Sequence, residues 1–445
     1  MAGIFKAYDI RGIYPDQLDE EMAYDIGVAI GNLMDRGTIV VGHDMREVAI
    51  PISKVLIDGL RATGQDVIDI GLCSTPMNYN AIGHFDAQGG VMVTASHNPS
   101  EYIGFKLSRD EAKPVAYETG INEVEEAVKS GNLPETDNPG EYRQENFIRI
   151  YQDIILGFAE KIKPLKVAID CGNGMGGLTV PEIYRNLPVD VEEMYFELDG
   201  SFPNHLPNPL EEENMKDLQD KVKTGDFDLG MAFDGDADRV AFVDENGEII
   251  ASDMITALLV KPMLEKNPGD AIIYDLRSSR AVPEEIEKYG GQPVRYRVGH
   301  AYMKAKMREV NGVFGGELSG HYYFRDNYFT DCGMIASLEL LNLLSENNKK
   351  LSELIKPLKR YARSGDINFK VEEKEKAMQA LAERFEEAET DWLDGVTVQF
   401  EDWWFNVRAS NTEPYLRLNM EADTDELLEE KLALVREEIE KYVSS

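Results

Sequence analysis

At 445 residues the chain is too long for one ordinary core and, at ~100–200 residues per domain, calls for three or four units. Its 46 basic and 82 acidic residues leave a net charge of −36, a surface that repels phosphate backbones and excludes general nucleic-acid binding. No apolar run approaches the ~20 residues of a membrane helix, and the opening MAGIFKAYDIRG carries Lys6, Asp9 and Arg11 where a secretory leader would be apolar, so a cytoplasmic protein with no membrane partner is expected.

Short apolar runs alternate with amphipathic stretches along most of the chain. TIVVGHD, QDVIDIG and GGVMVTA read as early strands, KVAID, FDLGMAF and RVAFVD as middle ones, and DAIIYDL as a later one. EMAYDIGVAIGNLMD and MIASLELLNLLSE read as helices, and the alternation predicts α/β architecture with parallel or mixed sheet. Three polar stretches mark expected boundaries: SGNLPETDNPGEY at 130–142, the hairpin-like VDENGEII near 247, and KPLKRYARSGD near 361. The expected units are therefore 1–140, 141–247, 248–362 and a smaller α+β unit, 363–445, with the first three loosely similar. Cys73, Cys171 and Cys332 are odd in number and form no CxxC, which fits buried thiols in a reducing compartment.

Four segments carry the chemistry. In GGVMVTASHNPSEYIGFK, Ser96 follows an apolar strand, where open α/β sheets place ligands; its hydroxyl suits a phosphoryl carrier with His97 and Lys106 as donors, or else a turn that satisfies backbone groups. Next comes Asp234-Gly235-Asp236-Ala237-Asp238-Arg239 between two apolar runs. Three carboxylates at alternate positions can converge on one hard cation, with Arg239 beside it for a phosphate. A calcium loop starting at Asp234 would need Gly where Arg239 stands and helices where strands are indicated; a solvated charge run is the other reading. GGELSGH offers Glu317, Ser319 and His321 on a Gly-flanked loop, a carboxylate and hydroxyl suited to adjacent sugar hydroxyls or an ordinary loop. RASNTEPYLR offers Arg408, Ser410, Asn411 and Thr412 as a phosphate cradle, though it also reads as a turn. Lesser candidates are YDIRG at Tyr8–Gly12, Asp44 with Arg46, Arg277, and Gly299-His300. Gly172–Gly177, GNGMGG, satisfies a dinucleotide-binding pattern after the strand KVAID, but that strand comes late in the chain and the spacing to a ribose acid is loose; a tight turn needing glycine is the better account.

In this order the segments resemble the α-D-phosphohexomutase superfamily, and within it the phosphomannomutase/phosphoglucomutase group. TASHNP looks like that family's phosphoserine loop, DGDADR its metal loop, GELSGH its sugar loop and RASNTEPYLR its phosphate loop; YDIRG, DCGNG, DLRSSR and VGH also match. The resemblance implies three related α/β domains and a C-terminal domain like the TATA-box-binding-protein fold, around a central cleft. It implies a phosphorylated Ser96, and Mg²⁺ held by Asp234, Asp236 and Asp238 with a phosphoserine oxygen. Glu317 and Ser319 would read O3 and O4, alongside His321 and Gly299, and Arg408, Ser410, Asn411, Thr412 and Arg417 would hold the non-reacting phosphate. Lys106 and His300 occupy the places of the proposed acid/base groups, and Arg11 and Arg239 those of active-site arginines; Arg277 stands where relatives often have Lys.

The implied activity interconverts hexose 6-phosphate and hexose 1-phosphate through a hexose 1,6-bisphosphate, which also serves as activator, in a monomer or weak homodimer. GELSGH favours mannose or glucose over glucosamine, whose mutases often carry Gln at the position of Leu318. A phosphoglucosamine mutase, an NAD-dependent oxidoreductase using GNGMGG and a catalytically silent sugar-phosphate sensor are the alternatives.

Overall fold

The structure is a computed structural model that describes residues 3–409 and 415–443. Its strands form four sheets. The first contains β1 (Ile10–Ile13), β2 (Thr38–His43), β3 (Asp66–Leu72), β4 (Gly89–Val93), β5 (Tyr102–Arg109) and β6 (Tyr142–Gln144), in the order β1-β5-β4-β2-β3-β6. The second contains β7 (Leu165–Asp170), β8 (Val189–Met194), β9 (Leu229–Phe233), β10 (Val240–Asp244) and β11 (Ile249–Ile250), in the order β11-β10-β9-β7-β8. The third contains β12 (Ala271–Asp275), β13 (Gln292–Tyr296), β14 (Phe314–Gly316), β15 (Tyr322–Phe324) and β16 (Thr330–Asp331), in the order β13-β12-β14-β15-β16.

These three sheets share one plan. In each, a central strand (β2, β7 or β12) pairs in parallel with two neighbours, and the third parallel strand (β4, β9 or β14) turns back into an antiparallel partner. A further antiparallel strand closes that edge: β1, β11 and β16 respectively. Strands β4, β9 and β12 are buried along their whole length, which is why they read as unbroken apolar runs. The first sheet reaches Gln144 because β6 pairs with β3, and the second reaches Ile250 through the hairpin around Gly247.

The fourth sheet is antiparallel: β17 (Ala362–Arg363), β18 (Ile367–Lys370), β19 (Glu389–Asp391), β20 (Val396–Gln399), β21 (Trp403–Ala409) and β22 (Tyr415–Ala422). Helices Lys374–Arg384 and Asp425–Glu440 supply the rest of its separate core around Phe385, Trp403 and Phe405. The architecture is thus three related α/β units and a C-terminal α+β unit.

One continuous apolar core joins the first three units, running from Val40 and Met77 through Val167 and Phe233 to Phe314 and Leu341. Helix Gly333–Asn347 is apolar on nearly every face and is buried accordingly; its Ser337 accepts a hydrogen bond from Tyr184 of the second unit at 2.8 Å. Cys73, Cys171 and Cys332 lie in the same core. Among the described residues no helix is long and apolar enough to cross a membrane.

Candidate active site

The shared plan has a chemical consequence. The turn that leaves the third parallel strand carries Ser96 in the first unit, Asp234–Arg239 in the second and Glu317–His321 in the third. The three loops hold equivalent positions in their units, at carboxyl ends of parallel strands, where α/β sheets gather ligand groups.

A second feature repeats. Asp44, Asp170 and Asp275 follow or end the central strands, and each accepts the backbone N–H two residues on, at 3.0, 2.8 and 2.8 Å. Asp44 then builds the Ser96 loop: its Oδ2 accepts from Thr94 at 2.7 Å and pairs with Arg46, which donates to the carbonyls of Ser96 and Asn98 at 3.0 and 2.7 Å. Asp275 does the same for the third loop, accepting from Leu318 N at 2.8 Å.

Ser96 sits at φ 52°, a left-handed conformation uncommon outside glycine, held there by the Arg46 contacts and by its own N–H donating to Thr94 at 2.8 Å. Its hydroxyl donates to Asp234 Oδ2 at 3.0 Å, and His97 Nδ1 lies 3.2 Å away. The two loops touch through backbone as well, since a Cβ at Gly235 would lie 2.3 Å from the Ser96 carbonyl oxygen. Gly235→Ala is therefore expected to push the serine loop away from the carboxylates. Turnover should fall at least about tenfold with little change in KM, measured by steady-state kinetics.

Asp234, Asp236 and Asp238 are fully buried, and one oxygen from each lies within 4.8 Å of the others. Lys106, itself buried, donates to Asp236 at 2.6 Å and Asp238 at 2.5 Å. Thr75 donates to Asp236 at 2.5 Å from the helix Thr75–His84, which Ser74 caps. Burial, reinforced by Asp238 and Asp236, pushes the Asp234 carboxyl well above the usual range. Burial also works against ionisation of Asp238, but Lys106, His321 and Arg239 outweigh it and hold that carboxyl well below the usual range. Burial alone would lower the Lys106 pKa; the three aspartates reverse this and keep it a firm ammonium cation.

The cluster suits a divalent ion. Its donors are all oxygens, and Asp236 Oδ1 and Asp238 Oδ1 are buried with no hydrogen-bond partner among the described residues.

Around this cluster the other expected residues assemble. Arg239 donates its backbone N–H to Asp234 at 3.1 Å and its Nε to His321 Nε2 at 3.2 Å, stitching the second loop to the third. Arg11 bridges Asp9 and Asn98, whose Oδ1 accepts from it at 2.5 Å. His97 is pushed far below the usual imidazole range by burial and by Arg239, Arg11 and Lys106, so it stands neutral among three cations. Glu317 accepts from Gly299 N at 2.8 Å and from the Tyr323 hydroxyl, and Ser319 Oγ lies 2.8 Å from His321 Nδ1. His300 stacks on His321 with ring centres 5.9 Å apart. Burial, then Lys304, Lys106 and His321, lower its pKa strongly, leaving a neutral ring whose buried Nδ1 has no hydrogen-bond partner among the described residues.

Arg277 is buried and grips Asp275 with two nitrogens at 2.7 and 3.2 Å. It also reaches towards Asp366 of the fourth unit, at 3.7 Å. Arg408 on β21 faces Arg417 across the ladder with β22, and burial, helped by Arg277, lowers its pKa: cations from two units converge there. Ser410, Asn411 and Thr412 lie outside the described residues.

Several contributors lack any local sequence signal. Thr75 meets Asp236 across 161 positions of chain, and Lys304, almost fully buried, pairs with Asp331 at 2.7 Å and with the Tyr79 hydroxyl at 2.9 Å. Asp331 in turn lies 3.5 Å from His321 Nε2. The dinucleotide reading of Gly172–Gly177 is overturned. The N–H groups a pyrophosphate would need are spent: Gly172 on Asp170 at 2.8 Å, Asn173 on Tyr195 at 2.8 Å, Gly174 on Cys171 at 2.7 Å and Met175 on Gly235 at 2.9 Å. The turn buttresses the aspartate loop instead.

Three related α/β units with polar loops at matching strand ends, followed by an α+β unit bearing paired arginines, define a multidomain α/β protein whose three loops meet at one site. The sequence matches the phosphoglucomutase/phosphomannomutase α/β/α domains I, II and III over residues 2–135, 145–247 and 251–361, and the C-terminal domain over 367–438. The chain belongs to the phosphoglucomutase/phosphomannomutase family. A phosphohexose mutase of Xanthomonas campestris pv. campestris is 40% identical over 429 residues, covering 95% of this chain and 96% of that protein. A phosphomannomutase of Methanocaldococcus jannaschii is 38% identical over 449 residues, covering 99% and 98%. Among solved structures, a phosphoglucomutase/phosphomannomutase family protein from Burkholderia thailandensis superposes with a TM-score of 0.92 at 32% identity, covering 100% and 99% of the two chains.

Proposed function

We propose that this chain is a metal-dependent phosphohexomutase that interconverts hexose 6-phosphate and hexose 1-phosphate, with Ser96 as the phosphoryl carrier. The observation that carries the reading is the Ser96 hydroxyl, 3.0 Å from the first of three clustered, buried aspartates. Membership of the family, with relatives named phosphohexose mutase and phosphomannomutase, supports it.

Asp234, Asp236 and Asp238, with an oxygen at Ser96, would hold Mg²⁺, which when bound neutralises the oxygens of the transferring phosphoryl group. Lys106, Arg239, Arg11 and His97 surround the same point and donate to those oxygens. Glu317 and Ser319 bind adjacent sugar hydroxyls, with His321 and Gly299 behind them. Arg408, Arg417 and Arg277 receive the distal phosphate together with Ser410, Asn411 and Thr412.

In the first transfer the Oγ–P bond of phospho-Ser96 breaks as a sugar hydroxyl oxygen bonds to phosphorus, and the hydroxyl proton passes to neutral His300. The charge left on Ser96 Oγ is held by the Lys106 and Arg239 cations until that oxygen attacks the other phosphate. The resulting hexose 1,6-bisphosphate turns over, its other phosphate returns to Ser96, and the proton is given back to the released hydroxyl oxygen. Sugar contacts made by a carboxylate and a hydroxyl tolerate either orientation, because each can serve O3 or O4.

The deciding experiment assays mannose 1-phosphate, glucose 1-phosphate and glucosamine 1-phosphate side by side, with Mg²⁺ and catalytic hexose 1,6-bisphosphate. Turnover of mannose or glucose phosphate is expected, and it should need both additions. No isomerisation of any of the three would sink the proposal. In the same assay Arg408→Ala should raise KM about tenfold or more, since a charge-assisted phosphate contact is worth ~1.5–3 kcal/mol. An unchanged KM would remove Arg408 from the phosphate site.

A further inference from the structure

The segment between β13 and the helix His300–Val310 carries an arginine that the mechanism above leaves unused. Arg297 is half-buried, and its guanidinium carbon lies 3.7 Å from the centre of the Tyr302 ring. Among the described residues its buried Nε has no hydrogen-bond partner and its guanidinium enters no ion pair. That is notable in a chain with 82 acidic residues, where Arg295, two positions earlier, is paired with Asp391. Arg408 shows the same pattern: half-buried, its Nε unpartnered, with no ion pair among the described residues.

The neighbours of Arg297 are groups of the site. Val298 accepts from the Tyr8 hydroxyl at 3.2 Å and donates its N–H to Asp394 of the fourth unit at 3.2 Å. Gly299 donates to Glu317 at 2.8 Å. Tyr8 packs edge-on against both His300 and Tyr302, with ring centres 5.6 and 5.3 Å away. Arg297 therefore stands where the first, third and fourth units meet, on a segment tied directly to the carboxylate proposed to hold the sugar.

We infer that Arg297 is a further phosphate contact, which grips the hexose bisphosphate intermediate and retains it while the sugar turns over. The inference rests on the phosphohexomutase reading. A monophosphate brings one phosphate, which the Arg408 segment meets. With phospho-Ser96 already in place the first transfer adds no phosphate, but it puts both dianions on one ligand that is no longer covalently held, in a protein of net charge −36 whose field drives it out. While the sugar turns, both phosphates must leave their places. A guanidinium stacked on a ring and bound to no carboxylate keeps its donors free for a phosphate and loses little side-chain freedom in binding one.

The test uses the full-length enzyme with Mg²⁺ and the variants Arg297→Gln and Arg297→Lys. Equilibrium binding of hexose 1,6-bisphosphate and its release per turnover are measured beside the monophosphate KM. Arg297→Gln is expected to bind the bisphosphate at least about tenfold more weakly and to release more of it, while the monophosphate KM rises less than about threefold. Arg297→Lys, which keeps the charge, should recover most of the retention. Unchanged retention in Arg297→Gln would overturn the assignment, and so would equal losses in both variants, because those mark a guanidinium that only props Tyr302. Failure of the parent enzyme to turn over any hexose phosphate would instead overturn the function itself, and this assignment with it.

Discussion

Ser96→Ala is expected to lower kcat by at least about a thousandfold while the protein stays folded. The hydroxyl is the only atom removed, and its one described hydrogen bond as donor goes to Asp234, so about 1 kcal/mol of stability is at stake. The loop survives the change because Arg46, Thr94 and Asp44 hold it through backbone carbonyls and the Ser96 N–H rather than through Oγ. Steady-state turnover alongside circular dichroism separates the outcomes. A folded Ser96→Ala protein with wild-type kcat would remove the serine from the chemistry.

The second large effect concerns the carboxylates. Asp236→Asn should weaken metal activation and lower kcat together, each by about a hundredfold, because Asp236 takes part in the cation cluster and also anchors Lys106 and Thr75. Metal titrations of turnover check it; a normal metal requirement in the variant would contradict the proposed ligand set. The same cluster predicts a pH dependence of metal affinity. Asp234 is held above the ordinary carboxyl range by burial and by Asp238 and Asp236, so it takes up a proton at higher pH than a free carboxyl would. A divalent ion must displace that proton, so affinity should fall as pH is lowered.

Much of this was legible in the sequence because the decisive residues are local. TASHNP, DGDADR and GELSGH each place their functional side chains within a few positions of a strand end, and strands such as LGMAF are unbroken apolar runs. The equivalence of the three loops was not legible. β14 is only three residues long, FGG, and β16 only two, so periodicity cannot mark them. It is the pairing of β12 with β14, and of β14 with β15, that reveals the common plan.

The supporting residues were hidden for a different reason. Asp44 and Arg46 stood out only as lesser candidates, because their work on the Ser96 carbonyl spans 50 positions. Lys304 and Asp331 look like ordinary polar residues in their own segments; only the fold buries both and sets them beside His321. GNGMGG is a decoy of the opposite kind. Its glycines fit a fingerprint, yet their N–H groups are used up in forming the turn that supports the aspartate loop.

The most direct test of the account is to locate the phosphate. The enzyme is incubated with hexose 1,6-bisphosphate and Mg²⁺, quenched, digested and mapped by mass spectrometry. A single phosphoryl group on Ser96, lost on chasing with hexose monophosphate at a rate no slower than turnover, is the predicted result. Turnover with Ser96 unmodified throughout, or with the phosphate on another side chain, would contradict it.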